Sequence, residues 1–399
     1  MGSPKLRFKE FIGNWESIKL LDFSEIITSG SRDWAKYYAN DGDKFIRMTN
    51  LVRDGIRLNL EDLKFVKLPE SSTEGTRSSL QYGDILISIT AELGKLGWIP
   101  KNFGSAYINQ HTALVRLNNQ INSKFVAYLL STTEYNNKLN GLNDAGAKAG
   151  LNLSTIRQFK IKIPSKVEQT KIANFLTTVD EKISQLNEQH QLMIQYKKGV
   201  MQKIFNQEIR FKDDNGEDFG EWEERILEDV SIIIMGSSPK SENYNELGIG
   251  LPLLQGNADI KNRKSCPRNF TTEITKECDV GDILMSVRAP VGYVAKAMHD
   301  ACIGRGIAAI RVKENNNQEF LYQYLIYMED IWGRFSQGST FDSVNSEQIK
   351  KLSLFIPCLQ EQTKIADFLT KLDDKIEKLA LQLEQVKTWK KGLLQQMFV

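Results

Sequence analysis

Two stretches of this chain are rich in side chains that can donate hydrogen bonds in pairs or hold a phosphate. Arg32, Lys36, Tyr37, Arg47, Thr49, Asn50, Arg53 and Arg57 lie in the first, with Asn109, Gln110, His111 and Lys148 further on. Ser238, Lys240, Gln255, Asn257, Lys261, Arg263, Lys264, Arg268, Arg288 and Arg305 lie in the second, with Ser339 and Thr340 in a later loop. Arginine presents a two-pronged donor that fits guanine, asparagine and glutamine fit adenine, and lysine, serine and threonine fit phosphate oxygens. Those residue types therefore point to base edges and the nucleic-acid backbone. The formal net charge is only +2, so a polyanion would have to be held by local patches, with help from other subunits.

Catalytic constellations do not emerge. The chain lacks the G-x-x-x-x-G-K-[ST] phosphate loop, the G-x-S-x-G elbow and an Asn-Pro-Pro-aromatic run. Glu92 and Lys95 follow Asp84 in a faintly nuclease-like order, but the Glu-x-Lys spacing is wrong and the second half has Pro290 in place of Glu92. Cys266, Cys278, Cys302 and Cys358 all fall in the second half without C-x-x-C spacing, so neither a disulfide framework nor a metal site is expected. His299 and Cys302 are the nearest approach to a ligand pair. Met1-Gly2-Ser3-Pro4-Lys5 has no apolar run behind it and no segment approaches a membrane span, so a cytoplasmic protein is expected.

The elements that must position the polar loops are written twice. Glu168-Gln169-Thr170-Lys171-Ile172-Ala173 recurs letter for letter as Glu361-Gln362-Thr363-Lys364-Ile365-Ala366, inside an ungapped match from Ile163-Pro164 and Ile356-Pro357 to Phe205 and Phe398. Leu6-Arg7-Phe8-Lys9 with Trp15 returns as Ile209-Arg210-Phe211-Lys212 with Trp222. Gly83-Asp84-Ile85-Leu86 returns as Gly281-Asp282-Ile283-Leu284, each Gly-Asp reading as a turn that opens a strand. Between these echoes the loops are unlike. One scaffold carrying two loop sets implies the same task performed on two different targets.

The long repeat has the period of a coiled coil. Ile172, Val179, Leu186, Met193 and Val200 fall seven apart, with Leu176 and Ile183 on the second row. Ile365, Leu372, Leu379, Val386 and Leu393 repeat the pattern, with Leu369 and Ile376 beside them. Ser165 and Glu168 read as a capping box, and Lys197-Lys198-Gly199 and Lys390-Lys391-Gly392 place cations near the helix ends, where they favour the dipole. Gly199 and Gly392 are expected to permit close helix approach or a bend, and His190 to be a tolerated seam residue. Each helix should run about 37 residues, roughly 55 Å. Pseudo-twofold symmetry makes the pair antiparallel.

Either side of the helices, short strands, loops and helices alternate, indicating mixed α+β domains. A strand is expected from Ile85 to Ile89, a helix from Lys124 to Ser131 and a strand from Phe159 to Ile163; their counterparts are 283–287, 319–328 and 352–356.

The Ile-Pro, the doubled Glu-Gln-x-Lys-Ile-Ala, the heptad helix and the Lys-Lys-Gly together resemble the specificity subunit of type I restriction-modification systems, over nearly the whole chain. The resemblance implies target recognition domains at 1–163 and 206–357, with the central helix at 164–205 and the C-terminal helix at 358–399. The fold class is then α+β: two mixed α/β domains separated by two long helices that form an antiparallel coiled coil, with a pseudo-twofold internal repeat. It further implies that each domain reads half of a split, asymmetric site in double-stranded DNA, without catalysis in this chain. Two methyltransferase subunits carrying S-adenosylmethionine would dock on the helices and modify a flipped adenine in each half-site. Where present, two motor-nuclease subunits using ATP and Mg would join them. Glu168 to Phe205 and Glu361 to Phe398 become the helix pair and candidate partner surface.

Other readings of the same residues are a coiled-coil scaffold binding protein or glycan, the specificity subunit of a related fused restriction-methylation enzyme, and a free-standing DNA-binding regulator. A scaffold predicts no salt dependence of DNA binding, whereas phosphate contacts predict a steep one.

Overall fold

The computed structural model describes residues 4–69, 75–142, 150–330, 332 and 344–399. It divides into two compact units, each built from one α+β domain and part of both long helices. The first contains residues 1–186 and 382–399, the second 187–381.

In the first unit a four-stranded antiparallel sheet runs in the order Ser24–Ser29, Thr112–Leu117, Ile85–Ser88, Leu96–Trp98. Ile85, Leu86 and Ile87 are buried on both faces, which accounts for an uninterrupted apolar run where a half-exposed strand would alternate. A second sheet is ordered Tyr38–Ala39, Lys64–Val66, Asp43–Ile46, Ala106–Ile108, its last pair parallel. The helix Ser123–Ser131 covers the first sheet and is capped by Asn122, whose side chain accepts from Phe125 N at 3.0 Å.

The second unit repeats the plan. Ser231–Met235, Ile307–Val312, Ile283–Ser286 and Val294–Lys296 occupy the corresponding order in a six-stranded sheet, and Leu251–Leu254 pairs in parallel with Ala301–Ile303 in a five-stranded one. The helix Gln318–Tyr327 has Asn317 as its cap. In both units the last strand, Lys160–Ile163 or Ser353–Ile356, pairs antiparallel with the entry strand, Glu16–Lys19 or Glu223–Ile226. The exit to each long helix therefore lies beside the tryptophan anchors.

The central helix spans Lys166–Phe205 and the C-terminal helix Leu359–Met397. They pair antiparallel: the first turns of the central helix share one core with the last turns of the C-terminal helix in the first unit, and the reverse holds in the second. Ile172, Leu176, Val179, Leu186, Ile365, Leu369 and Leu393 are buried. Ile183, Met193, Val200, Leu372, Ile376, Leu379 and Val386 are only half-buried, as is His190. A two-helix seam covers one side of each helix; Ile172, Leu176, Val179, Ile365, Leu369 and Leu393 are fully buried as members of the domain cores, and Leu186 is buried outside them.

The helix ends plug the domains. Phe398 packs on Phe125 at 5.4 Å and on Trp15 at 6.3 Å, and Tyr135 Oη donates to Val399 O at 2.9 Å. Phe205 stands 4.6 Å from the Tyr324 ring and 5.9 Å from that of Phe320. Burying an aromatic side chain contributes roughly 1.5–3 kcal/mol.

Three helix details differ from expectation. Glu168 N does donate to Ser165 Oγ at 3.4 Å, but the Glu168 carboxylate is taken by Arg7, so the capping box is half formed. A side chain at Gly199 or Gly392 would meet nothing within 4 Å, so no close helix approach demands glycine there. The first lysine of each Lys-Lys-Gly serves an ion pair across the helix pair: Lys390 Nζ lies 2.5 Å from Asp180 Oδ1, and Lys197 Nζ 2.6 Å from Asp373 Oδ1.

Candidate nucleic-acid interface

Every identical letter of Glu-Gln-Thr-Lys works at the junction between domain and helix. Glu168 accepts both prongs of Arg7 at 2.8 and 2.7 Å, and Glu361 both prongs of Arg210 at 2.9 and 2.8 Å with Trp222 Nε1 at 3.1 Å. Gln169 Oε1 accepts from Asn122 N while its Nε2 donates to Pro164 O, both at 2.9 Å; Gln362 does the same with Asn317 N at 2.8 Å and Pro357 O at 2.9 Å. Asn122 and Asn317 donate weakly to Thr170 and Thr363. Lys171 pairs with Glu10 and Lys364 with Asp214. Glu168, Gln169, Glu361 and Gln362 are buried. The motif at the head of each helix is thus a clamp that fixes helix to domain, and these four residues present no partner surface.

The Gly-Asp turns hold a second matched pair. Asp84 receives Arg116 at 2.8 and 2.7 Å, and Asp282 receives Arg311 at 2.7 Å through both prongs. Each aspartate also accepts a turn amide, from Gln81 or Asp279. The hydrogen bond to Asp282, aided by its charge and that of Asp279, raises the Arg311 pKa despite partial desolvation.

Above this frame the strand ends carry loops that converge. In the first unit Ser24–Ser29 runs into Gly30–Arg32, Asp43–Ile46 into Arg47–Asn50, and Ile85–Ser88 into Ile89–Glu92. The turn Asn109–His111 joins them through the Ser31–Asn109 bridge and Ile89 N donating to His111 O at 3.0 Å. In the second unit the loops are Gly236–Lys240, Gln255–Asp259, Val287–Pro290 and the turn Gly304–Gly306. They are tied by Ser237 N to Ile303 O and Val287 N to Gly306 O, both 2.9 Å, and by Gly304 N to Leu254 O at 2.8 Å. The structure thus brings many of the candidate residues to one end of each unit.

Their availability differs. Arg32, Arg288 and Arg305 are exposed and make no hydrogen bond or ion pair through the guanidinium among the described residues. Thr49, Gln255 and Lys261 are also exposed. Lys240 is exposed, 3.9 Å from Glu242, and its amide donates to Glu273, which helps hold that carboxyl below its usual range. Lys36 lies over the Tyr37 ring at 4.8 Å, and Tyr37 stacks edge-on to Trp34 at 6.0 Å. Among the described residues Arg53 makes long contacts, to Asn136 at 3.4 Å and Leu93 O at 3.5 Å. Ser238 Oγ accepts from Arg305 N at 3.1 Å, and the buried Oδ1 of Asn257 has no partner among the described residues.

Other candidates are committed to the fold. Asn50 is buried; its Oδ1 accepts from Arg47 N at 2.9 Å and its Nδ2 donates to Asn59 O at 2.9 Å. Arg47 reaches Asp62 at 2.7 Å and lowers that carboxyl's pKa through the hydrogen bond. Arg57 donates to Ser184 on the central helix at 2.6 Å, inside a groove lined by Trp98, Lys124 and Asp180. Arg263 forks onto Glu329 at 2.6 and 2.9 Å and lies over Tyr293; burial opposes its charge, yet the carboxylate outweighs that and the pKa rises. Lys264 reaches Glu377 on the C-terminal helix at 2.8 Å, and Arg268 pairs with Asp259 at 3.0 Å while remaining largely exposed. Positive charge in a sequence carries no sign of where an acidic partner will fold beside it. Lys148, Ser339 and Thr340 lie outside the described residues.

His111 is held at both ends of its ring, Nδ1 2.7 Å from Thr90 Oγ1 and Nε2 2.9 Å from Gln110 Nε2, while Asn109 Oδ1 accepts from His111 N at 3.2 Å. Thr90 carries no sequence signal for this role, being a lone hydroxyl after a strand. His299 and Cys302 go separate ways, to Ser265 Oγ at 3.1 Å and Thr275 Oγ1 at 3.5 Å. Among the described residues no cluster of three or more His, Cys, Asp or Glu could hold a metal. No helix there is long and apolar enough to cross a membrane.

Two matched α+β units under unlike polar loops define a two-headed recognition protein. The family model for the type I restriction modification DNA specificity domain matches residues 12–195 and 220–388. A Methanocaldococcus jannaschii protein named as specificity subunit of the type I restriction enzyme MjaX is 31% identical over 403 residues, covering 98% of this chain and 94% of that protein. The S subunit of a type I restriction-modification system from M. genitalium shares the fold, with a TM-score of 0.64 at 17% identity over 100% of this chain and 99% of that one. So does a chain from a structure reported on complex assembly and conformational transition of the type I R-M system, with a TM-score of 0.59 at 22% identity over 96% and 97%. The chain belongs to the family of type I restriction-modification DNA specificity subunits.

Proposed function

We propose that each unit reads one half of a split, asymmetric site in double-stranded DNA through its convergent loops, and that the chain works in the cytoplasm without an active site of its own. The observation that carries this reading is the contrast between frame and loops. Arg116–Asp84 and Arg311–Asp282 repeat the frame, while Asn109-Gln110-His111 in one unit stands where Gly304-Arg305-Gly306 stands in the other. Identical frames under different donors suit unlike half-sites, in contrast to the palindrome read by a true homodimer.

The outer faces of the helices are the proposed seat of two methyltransferase subunits. Leu192, Tyr196 and Leu381 are exposed there, beyond what a two-helix seam needs. S-adenosylmethionine would be held by those subunits, and ATP and Mg by two motor-nuclease subunits where they are present. The test is co-expression with candidate methyltransferase subunits, followed by direct sequencing for methylated adenine. The expected result is a split motif that vanishes when this chain is deleted. Exchange of residues 1–163 for those of a relative should change one half only; change in both halves would overturn the assignment of one unit to one half-site.

A further inference from the structure

We propose that Arg305 reads a guanine in the half-site of the second unit. This rests on the DNA-reading assignment above and adds the base and the residue. Arg305 sits at the tip of a turn whose backbone has no room to shift. A side-chain carbon at Gly306 would lie 2.2 Å from Gln255 O, and one at Gly304 would lie 3.2 Å from Gln255 Cα. Arg305 N donates to Ser238 Oγ at 3.1 Å, and Val287 N closes the turn on Gly306 O at 2.9 Å. Three neighbouring loops therefore fix the Cα from which this guanidinium projects.

Among the described residues the guanidinium itself is uncommitted. Arg210, Arg225, Arg263, Arg268 and Arg311 in the same unit each have a carboxylate partner. Arg305 has none among the described residues and is exposed. Forming a base contact would thus break no ion pair among the described residues. A planar two-pronged donor on a rigid tip matches O6 and N7 of guanine in the major groove, the pairing for which arginine is best suited. A phosphate can also be held by the point charge of a lysine and carries no base identity, so a phosphate contact would weaken all sequences alike.

The experiment uses the full chain with its methyltransferase subunits and maps methylated adenines for wild type, Arg305→Ala and Arg305→Lys, with thermal melts to show that each variant is folded. Exchange of residues 206–357 identifies the half-site that belongs to the second unit. The expected result is a guanine in that half whose preference over other bases falls on the order of 10- to 100-fold in both variants, the other positions staying unchanged. Absence of guanine from that half, or an Arg305→Lys variant that keeps full discrimination, would overturn the proposal. So would a uniform loss of methylation with no relaxed position, the mark of a phosphate contact. A wild-type complex that gives no split motif would overturn the DNA reading itself, which separates the two failures.

Discussion

Lys197 Nζ lies 2.6 Å from Asp373 Oδ1, so the first lysine of one Lys-Lys-Gly is joined to an aspartate on the other helix, and Lys390 with Asp180 forms the pseudo-symmetric copy. Gln323 Nε2 also donates to Asp373, at 2.8 Å, as Tyr128 Oη does to Asp180 at 2.7 Å. One carboxylate in each unit thus ties both long helices to the domain helix.

Burial lowers the Lys197 pKa, and Asp373 opposes the shift without cancelling it. A lysine whose folded pKa lies below its unfolded value, about 10.4, contributes stability that is present above the unfolded pKa and lost as pH falls through the folded one. In Asp373→Asn the opposing charge is gone, so the depression deepens. The variant should lose roughly 1–3 kcal/mol near neutrality, with the deficit narrowing as pH approaches 10. Urea unfolding of both proteins at pH 7 and 9.5 checks this; a deficit independent of pH would count against it. Lys197→Met should cost less than Asp373→Asn, because the carboxylate it leaves is partly exposed and keeps Gln323 as a partner.

Arg210→Met leaves the buried Glu361 carboxylate without its fork, and destabilisation of about 3–5 kcal/mol is expected. The double variant Arg210→Met with Glu361→Met should recover much of the loss, since neither charge then remains buried. A thermal double-mutant cycle measures the coupling, and additive losses would show that the clamp is not a unit.

Phe398→Ala removes an aromatic plug from the first domain although it lies at the far end of the sequence, and should cost about 3–5 kcal/mol. Hydrogen exchange should rise around Leu20 and Phe125 and stay unchanged around Leu227 and Phe320. Phe205→Ala should give the opposite map.

Arg263→Met and Arg288→Ala separate structural from binding arginines. The first breaks the fork to Glu329 and should lower the melting temperature of the second unit. The second touches no described partner and should alter stability by no more than about 0.5 kcal/mol. DNA titrations across a salt series should show a shallower slope or relaxed specificity for Arg288→Ala. Equal melting losses in both would show that Arg288, like Arg263, supports the fold.

The sequence by itself determined the frame. The heptads at Ile172 to Val200 and Ile365 to Leu393, the strands after Gly83-Asp84 and Gly281-Asp282 and the order of the two domains are local patterns of period and turn chemistry. The antiparallel pairing followed from the repeat once its halves were taken to be related by a pseudo-twofold axis. Partnership was decided by tertiary structure alone. Arg263 and Arg305 are the same letter, yet one faces Glu329 and the other faces solvent. Glu168 looked like a helix cap and became an arginine's counter-ion because Arg7, distant in sequence, folds against it. Pairing depends on where charges meet after folding, and a linear pattern of residue types does not contain that distance.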